Sequence, residues 1–263
     1  MKIISLGDIH GRDVWKFILF GSCYEYNTWR TAVEAGAPID WDGDMPFLQH
    51  DKIIFVGDYV DSFDIPSSVI LHNLREIVDL KQKLGDRVVL LLGNHDIQYF
   101  VKGQRCSGHR PELQHDLEKL FLENVDRFQL AYQYGDHLWT HAGVSSRWLS
   151  EMRRELFNPR FRFADLVRDD DPRTLADELN LAWQFQLPSL FNCDADSGGY
   201  QMYAGPMWIR PKRLDSDPLE GISQVVGHTT KSHIIKGVVG DVVHWYIDCL
   251  EFGDENALKL DLK

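Results

Sequence analysis

Five short segments of this chain concentrate side chains that bind metals or move protons: Gly7-Asp8-Ile9-His10-Gly11, Gly57-Asp58-Tyr59-Val60-Asp61, Gly93-Asn94-His95-Asp96, His141-Ala142-Gly143 and Gly227-His228-Thr229. Together they offer carboxylate, carboxamide and imidazole donors without a thiolate, a set suited to hard or borderline divalent ions such as Mn, Fe or Zn. Taken singly, each residue has an ordinary explanation, since an Asp after a strand is commonly a turn or cap residue. Their shared setting changes the reading. Each segment begins where an apolar run stops: Ile3-Ile4-Ser5-Leu6, Ile53-Ile54-Phe55-Val56, Val88 to Leu92, Leu138-Trp139-Thr140 and Val225-Val226. Such runs read as buried strands entering loops, and in α/β sheets ligands sit beyond the carboxyl ends of the strands. Five strand ends that each deliver Asp, Asn or His to one edge describe an assembled site.

The elements that would hold this edge lie between the segments. A first strand over residues 2–7 precedes helical spacing from Asp13 to Arg30, on which Val14, Phe17, Ile18 and Tyr24 share a face. Gly36, Pro38, Gly43 and Pro46 mark residues 36–50 as a loop excursion. Pro66 to Leu84 reads as a helix with Val69, Ile70, Leu74, Ile77 and Leu80 at helical spacing, and Arg87 to Leu92 as a third strand. Pro111 to Glu123 reads as another helix, with Pro near its first turn. Tyr132 and Tyr134 lead through Gly135-Asp136 into strand His137 to Thr140 as a hairpin. This alternation predicts α/β layering.

Between His141 and His228 there is little strand signal. That stretch holds one helix, Asp171 to Phe185, many aromatics, and the loop Asp194-Ala195-Asp196-Ser197-Gly198-Gly199. Residues of about 145–220 are therefore expected to form either a substrate-facing insertion or an extra packed layer. From Val225 to Leu262 short β-like runs alternate with turns at Gly237, Gly240 and Gly253.

In this order the five segments resemble the motif series of the calcineurin-like metallophosphoesterases, most closely the PPP (serine/threonine phosphatase-type) branch. The tail Tyr246-Ile247-Asp248 resembles the strand that closes that family's core, so the similarity spans most of the chain. The resemblance implies a single domain over residues 1–263, a β-sandwich flanked by helices in α/β/β/α layers, with a two-metal site at the carboxyl ends of the strands. Carried over motif by motif, it implies that Asp8 and His10 hold a first ion and that Asp58 bridges to a second. Asn94, His141 and His228 would complete the second site. The implied cofactor is a pair of divalent ions, manganese first, with iron or zinc as alternatives. A hydroxide held between them would attack phosphorus directly, without a phosphoenzyme. His95 would protonate the leaving group, with Asp61 orienting it and favouring its protonated form.

The departures from the family pattern are informative as well. Where the second motif usually continues with Arg-Gly, this chain has Ser62-Phe63, so a phosphate-holding arginine is missing. Arg210, in Met207-Trp208-Ile209-Arg210-Pro211, resembles a Trp-x-Arg segment that supplies one in bacterial members, with Arg12 as a lesser candidate. His109 and Arg110 follow the third motif closely enough to be candidates for the pocket wall. Asp96 stands where Glu is usual. Thr230 stands where the nuclease and phosphodiesterase branches carry a second His, which favours the phosphatase-type branch. The implied function is metal-dependent hydrolysis of phosphomonoesters, protein-phosphatase-like. The alternatives are a nucleotide or dinucleoside polyphosphate hydrolase and a nucleic-acid end phosphatase or phosphodiesterase.

Composition bounds the partners. At 263 residues, 44% hydrophobic and 26% charged, the chain can bury a sizeable core. Its net charge of −12 argues against extended nucleic-acid binding. Two divalent ions would nonetheless reverse the local field and admit a phosphorylated protein or small molecule. Cys23, Cys106, Cys193 and Cys249 lack CxxC spacing and read as reduced thiols. Lys2 leads straight into the first apolar run, which leaves no room for a signal peptide, and no run is long enough for a membrane span. The expectation is a cytoplasmic protein with no membrane partner.

Overall fold

Two five-stranded sheets carry the apolar runs, in a computed structural model that describes residues 1–40, 43–158, 173–252 and 257–263. The first sheet contains β1 (Lys2–Leu6), β2 (Lys52–Phe55), β3 (Val88–Leu91), β4 (Phe128–Gln129) and β10 (Leu258–Asp261), in the order β10-β1-β2-β3-β4. The second contains β5 (Ala131–Tyr134), β6 (His137–Thr140), β7 (Ser223–Val226), β8 (Ile235–Val239) and β9 (Val242–Tyr246), in the order β5-β6-β7-β9-β8. β1 to β4 run parallel, as do β6, β7 and β9, while β10, β5 and β8 are antiparallel to their neighbours. The parallel strands of each sheet therefore present their carboxyl ends along one edge.

The near-continuous apolar runs of β1 to β3 reflect burial on both faces. Ile4, Ile53 and Val88 stand in register and belong to the large cluster on the helical side. One residue on, Ser5, Ile54 and Val89 are in register on the opposite face. There Ile54 and Val89 join Ile3, Leu91, Trp139, Val225 and Ile247 in the cluster between the sheets. Each such buried aliphatic side chain contributes about 1.5–3 kcal/mol. Ser5 is the polar exception in this layer, and it is satisfied: the Trp139 indole N–H donates to its Oγ across the sandwich at 2.9 Å.

Helices flank the sheets: α1 (Val14–Phe20), α2 (Cys23–Glu34), α3 (Ser67–Leu84), α4 (Asn94–Ile97), α5 (Gln114–Glu123), α6 (Ser146–Leu156), α7 (Leu175–Gln184) and α8 (Pro211–Ser216). The architecture is the expected mixed α/β arrangement of two sheets between helices. Among the described residues no helix is long and apolar enough to cross a membrane.

Several local expectations need correction. The helix expected from Asp13 to Arg30 is two helices, because Gly21 ends the first in a left-handed conformation and Ser22 caps the second by accepting from the Glu25 N–H. The break changes the phase of the buried face. Ile18 is buried, but Phe17 and Tyr24 are exposed, and Tyr26 and Trp29 take the inner positions. On α3 the expected face holds except at Val69, which is exposed in the first turn. The region after His141 contains α6, which sequence reading missed; Ser145 caps it by accepting from the Trp148 N–H. The helix expected from Asp171 begins at Leu175, behind a Thr174–Asp177 capping box, and residues 171–172 lie outside the described residues. Gly237 lies within β8 rather than at a turn, Gly240 does occupy the β8–β9 turn, and Gly253 lies outside the described residues.

Candidate metal centre

The five segments meet at the shared carboxyl edge. β1 ends at Leu6 and delivers Asp8 and His10; β2 delivers Asp58 and Asp61; β3 leads into α4 with Asn94 and His95. From the second sheet, β6 delivers His141 and β7 delivers His228. One donor atom from each of Asp8, His10 and Asp58 lies within 4.8 Å of the others, and the same holds for Asp58, His141 and His228. Asp58 belongs to both groups, which is the geometry a bridging carboxylate requires. Asn94 joins the second group, because its Oδ1 lies 2.9 Å from both His141 Nε2 and His228 Nδ1.

The backbone is bent to achieve this. Of five non-glycine residues with positive φ among the described residues, four are His10, Asp58, Asp61 and His228. Left-handed backbone at such residues persists where the surroundings over-determine it, commonly at functional sites. Two glycines make room for the carboxylates. A Cβ on Gly93 would stand 2.1 Å from Asp58 Oδ1, and one on Gly227 would stand 2.0 Å from Asp8 Oδ1. Asp96 ties the second and third motifs together: its carboxylate accepts from the Asp58, Tyr59 and Gly93 N–H groups, each at 2.8 Å. The shorter Asp therefore makes a full set of bonds where the family usually has Glu.

The electrostatics suit divalent cations. Burial, then Asp248 and Asp58, push the Asp8 carboxyl well above the usual range. Burial would raise Asp58 too, but His141, His95 and His10 outweigh it and hold Asp58 low. Burial, His141 and Arg210 keep His228 well below the usual imidazole value, so its ring is neutral and has a lone pair to give. His141 Nδ1 bonds the Val56 carbonyl at 2.9 Å and His10 Nδ1 bonds that of Val60 at 2.9 Å. Both contacts fix the N–H at Nδ1 and leave Nε2 free to ligate. The converging donors are oxygens and imidazole nitrogens only, which fits hard or borderline divalent ions. His141 Nε2 and His228 Nδ1 face each other at 3.2 Å, a close approach of two ring nitrogens that a shared cation would satisfy.

Beside this cluster His95 Nδ1 lies 3.2 Å from Asp61 Oδ2. Burial pulls the His95 imidazole down, but Asp58 and Asp61 outweigh it and hold it at about 9. The Asp61 side chain is fully buried and accepts from Tyr99 Oη on one oxygen and from Gln98 Nε2 on the other. Sequence reading missed Gln98 and Tyr99; their signal was spacing, three and four residues beyond His95 on one helical face. Cys106 was also missed. It accepts from Asn94 Nδ2 at 3.3 Å, which turns the amide oxygen toward the histidines, and nothing in the sequence marked it.

Asp8, His10, Asp58, Asn94, His95 and His228 help line a pocket of about 170 Å³ in which Arg210 is the one Arg or Lys side chain among the described residues. Arg210 Nη1 donates to the His228 carbonyl and to Thr229 Oγ1, both at 3.2 Å. The other candidate arginines, Arg12 and Arg110, lie elsewhere. Arg12 pairs with Asp64 at 3.1 Å and Glu251 at 3.5 Å. Arg110 binds the Ser62 and Ile65 carbonyls and Ser67 Oγ, so it braces the loop that carries Ser62 instead of lining the pocket. His109 stacks on Tyr99 and bonds Gln114. Ser62 itself donates to Asp64 Oδ1 at 2.5 Å and faces no phosphate site.

The family model for calcineurin-like phosphoesterases matches residues 1–202, which covers four of the five motifs; the fifth reaches the site through β7. No curated protein sequence matches the chain significantly. Among solved structures, a single-residue variant of a cold-active protein tyrosine phosphatase is 19% identical, with a TM-score of 0.50 over 92% of this chain and 70% of that one. A cold-active protein tyrosine phosphatase of a psychrophilic Shewanella gives 19% and 0.49 over 94% and 71%. A protein serine/threonine phosphatase from Saccharomyces cerevisiae gives 17% and 0.45 over 97% and 70%. At such identity the likeness bears on the fold alone, whereas the family match extends over most of the chain. The chain belongs to the calcineurin-like phosphoesterases, hydrolases of phosphate esters that work with divalent metal ions.

Proposed function

We propose that this protein is a metal-dependent phosphomonoesterase of the serine/threonine phosphatase type, acting on a phosphorylated polypeptide. The size of the pocket carries the reading. About 170 Å³ suits a single phosphoryl group, and the pocket opens into a groove of about 740 Å³ that suits what the phosphate is attached to. Residues 188–201 supply one wall of that groove. This supports a substrate-facing role for residues 188–210 of the 145–220 region, within one domain spanning residues 1–263, while α6 and α7 of that region pack into the core.

Asp8, His10 and Asp58 would hold one divalent ion, and Asp58, Asn94, His141 and His228 the other; this mixed oxygen and imidazole set, without thiolate, suits manganese, iron or zinc, with manganese the first choice. When bound, such a pair supplies Lewis acidity to the phosphoryl oxygens and lowers the pKa of water. The chain's own residues do the rest. Arg210 would pair with phosphoryl oxygens at the pocket wall. Protonated His95 would give its proton to the ester oxygen as the bond to phosphorus breaks. Asp61, fixed by Tyr99 and Gln98, would keep that ring oriented and charged. A cytoplasmic setting, where thiols stay reduced, suits the scattered cysteines.

The test is a panel of substrates given to manganese-loaded protein: phosphopeptides, alkyl and aryl monoesters, a diester, nucleoside monophosphates and dinucleoside polyphosphates. Phosphate release from peptides and monoesters, abolished by a chelator, is the expected result. A higher kcat/KM on dinucleoside polyphosphates or on the diester would replace this reading with a nucleotide or nucleic-acid one.

A further inference from the structure

The groove beside the pocket has a charge pattern opposite to that of the whole molecule. The chain carries a net charge of −12. Yet among the described residues no Asp or Glu lines the groove, and its two charged side chains are Arg105 and Arg210. Arg210, Trp208, Cys106 and Ser107 belong to both groove and metal pocket, so the two spaces are continuous. Arg105 is exposed and makes no hydrogen bond or ion pair among the described residues. The acids of the facing loop are turned away: Asp196 and Asp194 approach Arg213 Nε at 2.6 and 3.9 Å, and neither lines the groove.

The remaining walls suit a peptide. The side-chain amides of Gln104 and Asn192 have no protein partner among the described residues and are available to peptide N–H and C=O groups. Tyr200 is 92% exposed on the rim. Two arginines are too few for a nucleic-acid backbone, which calls for a broad basic face. They are enough to favour one or two carboxylates next to a scissile phosphate. The field of two cations in an otherwise uncharged cleft acts over several ångströms and is weakened by salt.

We propose that this groove selects acidic residues flanking the phosphorylated residue, with Arg105 as the specificity determinant. The proposal rests on the phosphopolypeptide reading above. The groove acts on binding, so it changes KM more than kcat.

The experiment compares two phosphopeptides of equal length, one with Glu and one with Gln beside the phosphorylated residue, at low and high salt. The readout is their ratio of kcat/KM in wild type, Arg105→Ala and Arg105→Glu, so a general loss of activity cancels. An aryl phosphate and a dinucleoside polyphosphate are run on the wild type alongside. Wild type should favour the acidic peptide by about threefold to tenfold at low salt, mostly in KM, as expected for one or two exposed charge pairs. Arg105→Ala should bring the ratio close to one, and Arg105→Glu should invert it. Equal rates on the two peptides, or a preference that survives Arg105→Glu, would overturn the proposal. If the aryl phosphate and the dinucleoside polyphosphate are hydrolysed but neither peptide is, the groove takes a nucleotide and the proposal is equally overturned. No turnover of the aryl phosphate by metal-loaded protein would sink the phosphomonoesterase reading itself, and this proposal with it.

Discussion

Most of the pocket wall is side chains that leave paired strands within two to four residues, and Cys106, Ser107, Trp208 and Arg210 are shared with the groove it opens into, whose other walls are loop residues 103–105 and residues 188–201, which lie between helices. Around the pocket, backbone ladders on two sheets hold His10, Asp58, Asp61 and His228 in left-handed conformations that a free loop would relax. Around the groove, the facing loop is held by its own turns, such as Gly199 N–H to the Asp194 carbonyl at 2.8 Å and Cys193 Sγ to the Ser197 carbonyl at 3.1 Å. The rigid frame can therefore fix the chemistry, while the loops are free to fix selectivity. Substitutions in the pocket should be large in effect and respond to the scissile bond rather than to residues flanking it. Those in the groove should be small and sensitive to it.

The strongest test of the first half is Asp58→Asn. Asp58 is 2% exposed and belongs to both donor groups, so its loss removes the charge shared between the two ion positions. Metal content should fall from two ions per chain, and activity on every monoester should fall together by about 10³-fold or more, equivalent to about 4 kcal/mol. Elemental analysis with steady-state kinetics checks this. Two retained ions with normal turnover would remove Asp58 from the bridge.

The same division explains what was legible in the sequence. Strand ends carry their residues with them, so Asp8, His10, Asp58, Asn94, His141 and His228 could be gathered from five apolar runs and their motif order, and the structure brings all six together. The side chains that hold Asp61 were harder. Gln98 and Tyr99 sit in an ordinary-looking helical turn, and only the buried position of Asp61 shows why both donate to it. Cys106, Arg105 and the groove depend on how loops from distant parts of the chain approach each other, which no local periodicity encodes. Arg110 shows the converse error. Its nearness in sequence to the third motif suggested the pocket, but the carbonyls of the Ser62 loop claim its guanidinium. Helix phase failed at Gly21-Ser22 for a local reason that was visible, a left-handed glycine followed by a capping serine.

Within the pocket, His95→Asn should separate leaving groups. Alkyl monoesters, which release a basic alkoxide, should slow by about 10²–10⁴-fold, and nitrophenyl phosphate clearly less. Equal losses on both, with metal retained, would assign His95 to phosphate binding or to site shape. Arg210→Ala stands at the boundary between the regions and should be intermediate. It should weaken vanadate or phosphate inhibition by about 10-fold to 100-fold, the worth of a charge-assisted hydrogen bond, while leaving metal content intact. Unchanged inhibitor affinity would return Arg210 to a structural role.

The smallest effect expected is a shift in a proton's midpoint, and it asks whether the frame tunes the acid as well as placing it. In the metal-free protein burial opposes the His95 charge, but Asp58 and Asp61 outweigh it and raise the midpoint from 6.5 to about 9. A histidine whose folded pKa is raised contributes stability that is complete below its unfolded value and is lost as pH rises through the folded one. That contribution should therefore be present at pH 6 and fade between roughly pH 6.5 and 9. Asp61→Asn keeps the side-chain shape but removes one of the three carboxylates that raise it, with Asp58 and Asp96 left in place, so the midpoint should fall by about 1 unit, equivalent to about 1.4 kcal/mol. Titration of the His95 ring proton by NMR in chelated protein reads this directly. Urea unfolding of both proteins between pH 6.5 and 9, a range below the ionisation of the Tyr99 hydroxyl that also donates to Asp61, should show their stability difference shrinking as pH rises. A wild-type midpoint near the ordinary value, or one that Asp61→Asn leaves in place, would mean that Asp61 orients the ring without holding its charge.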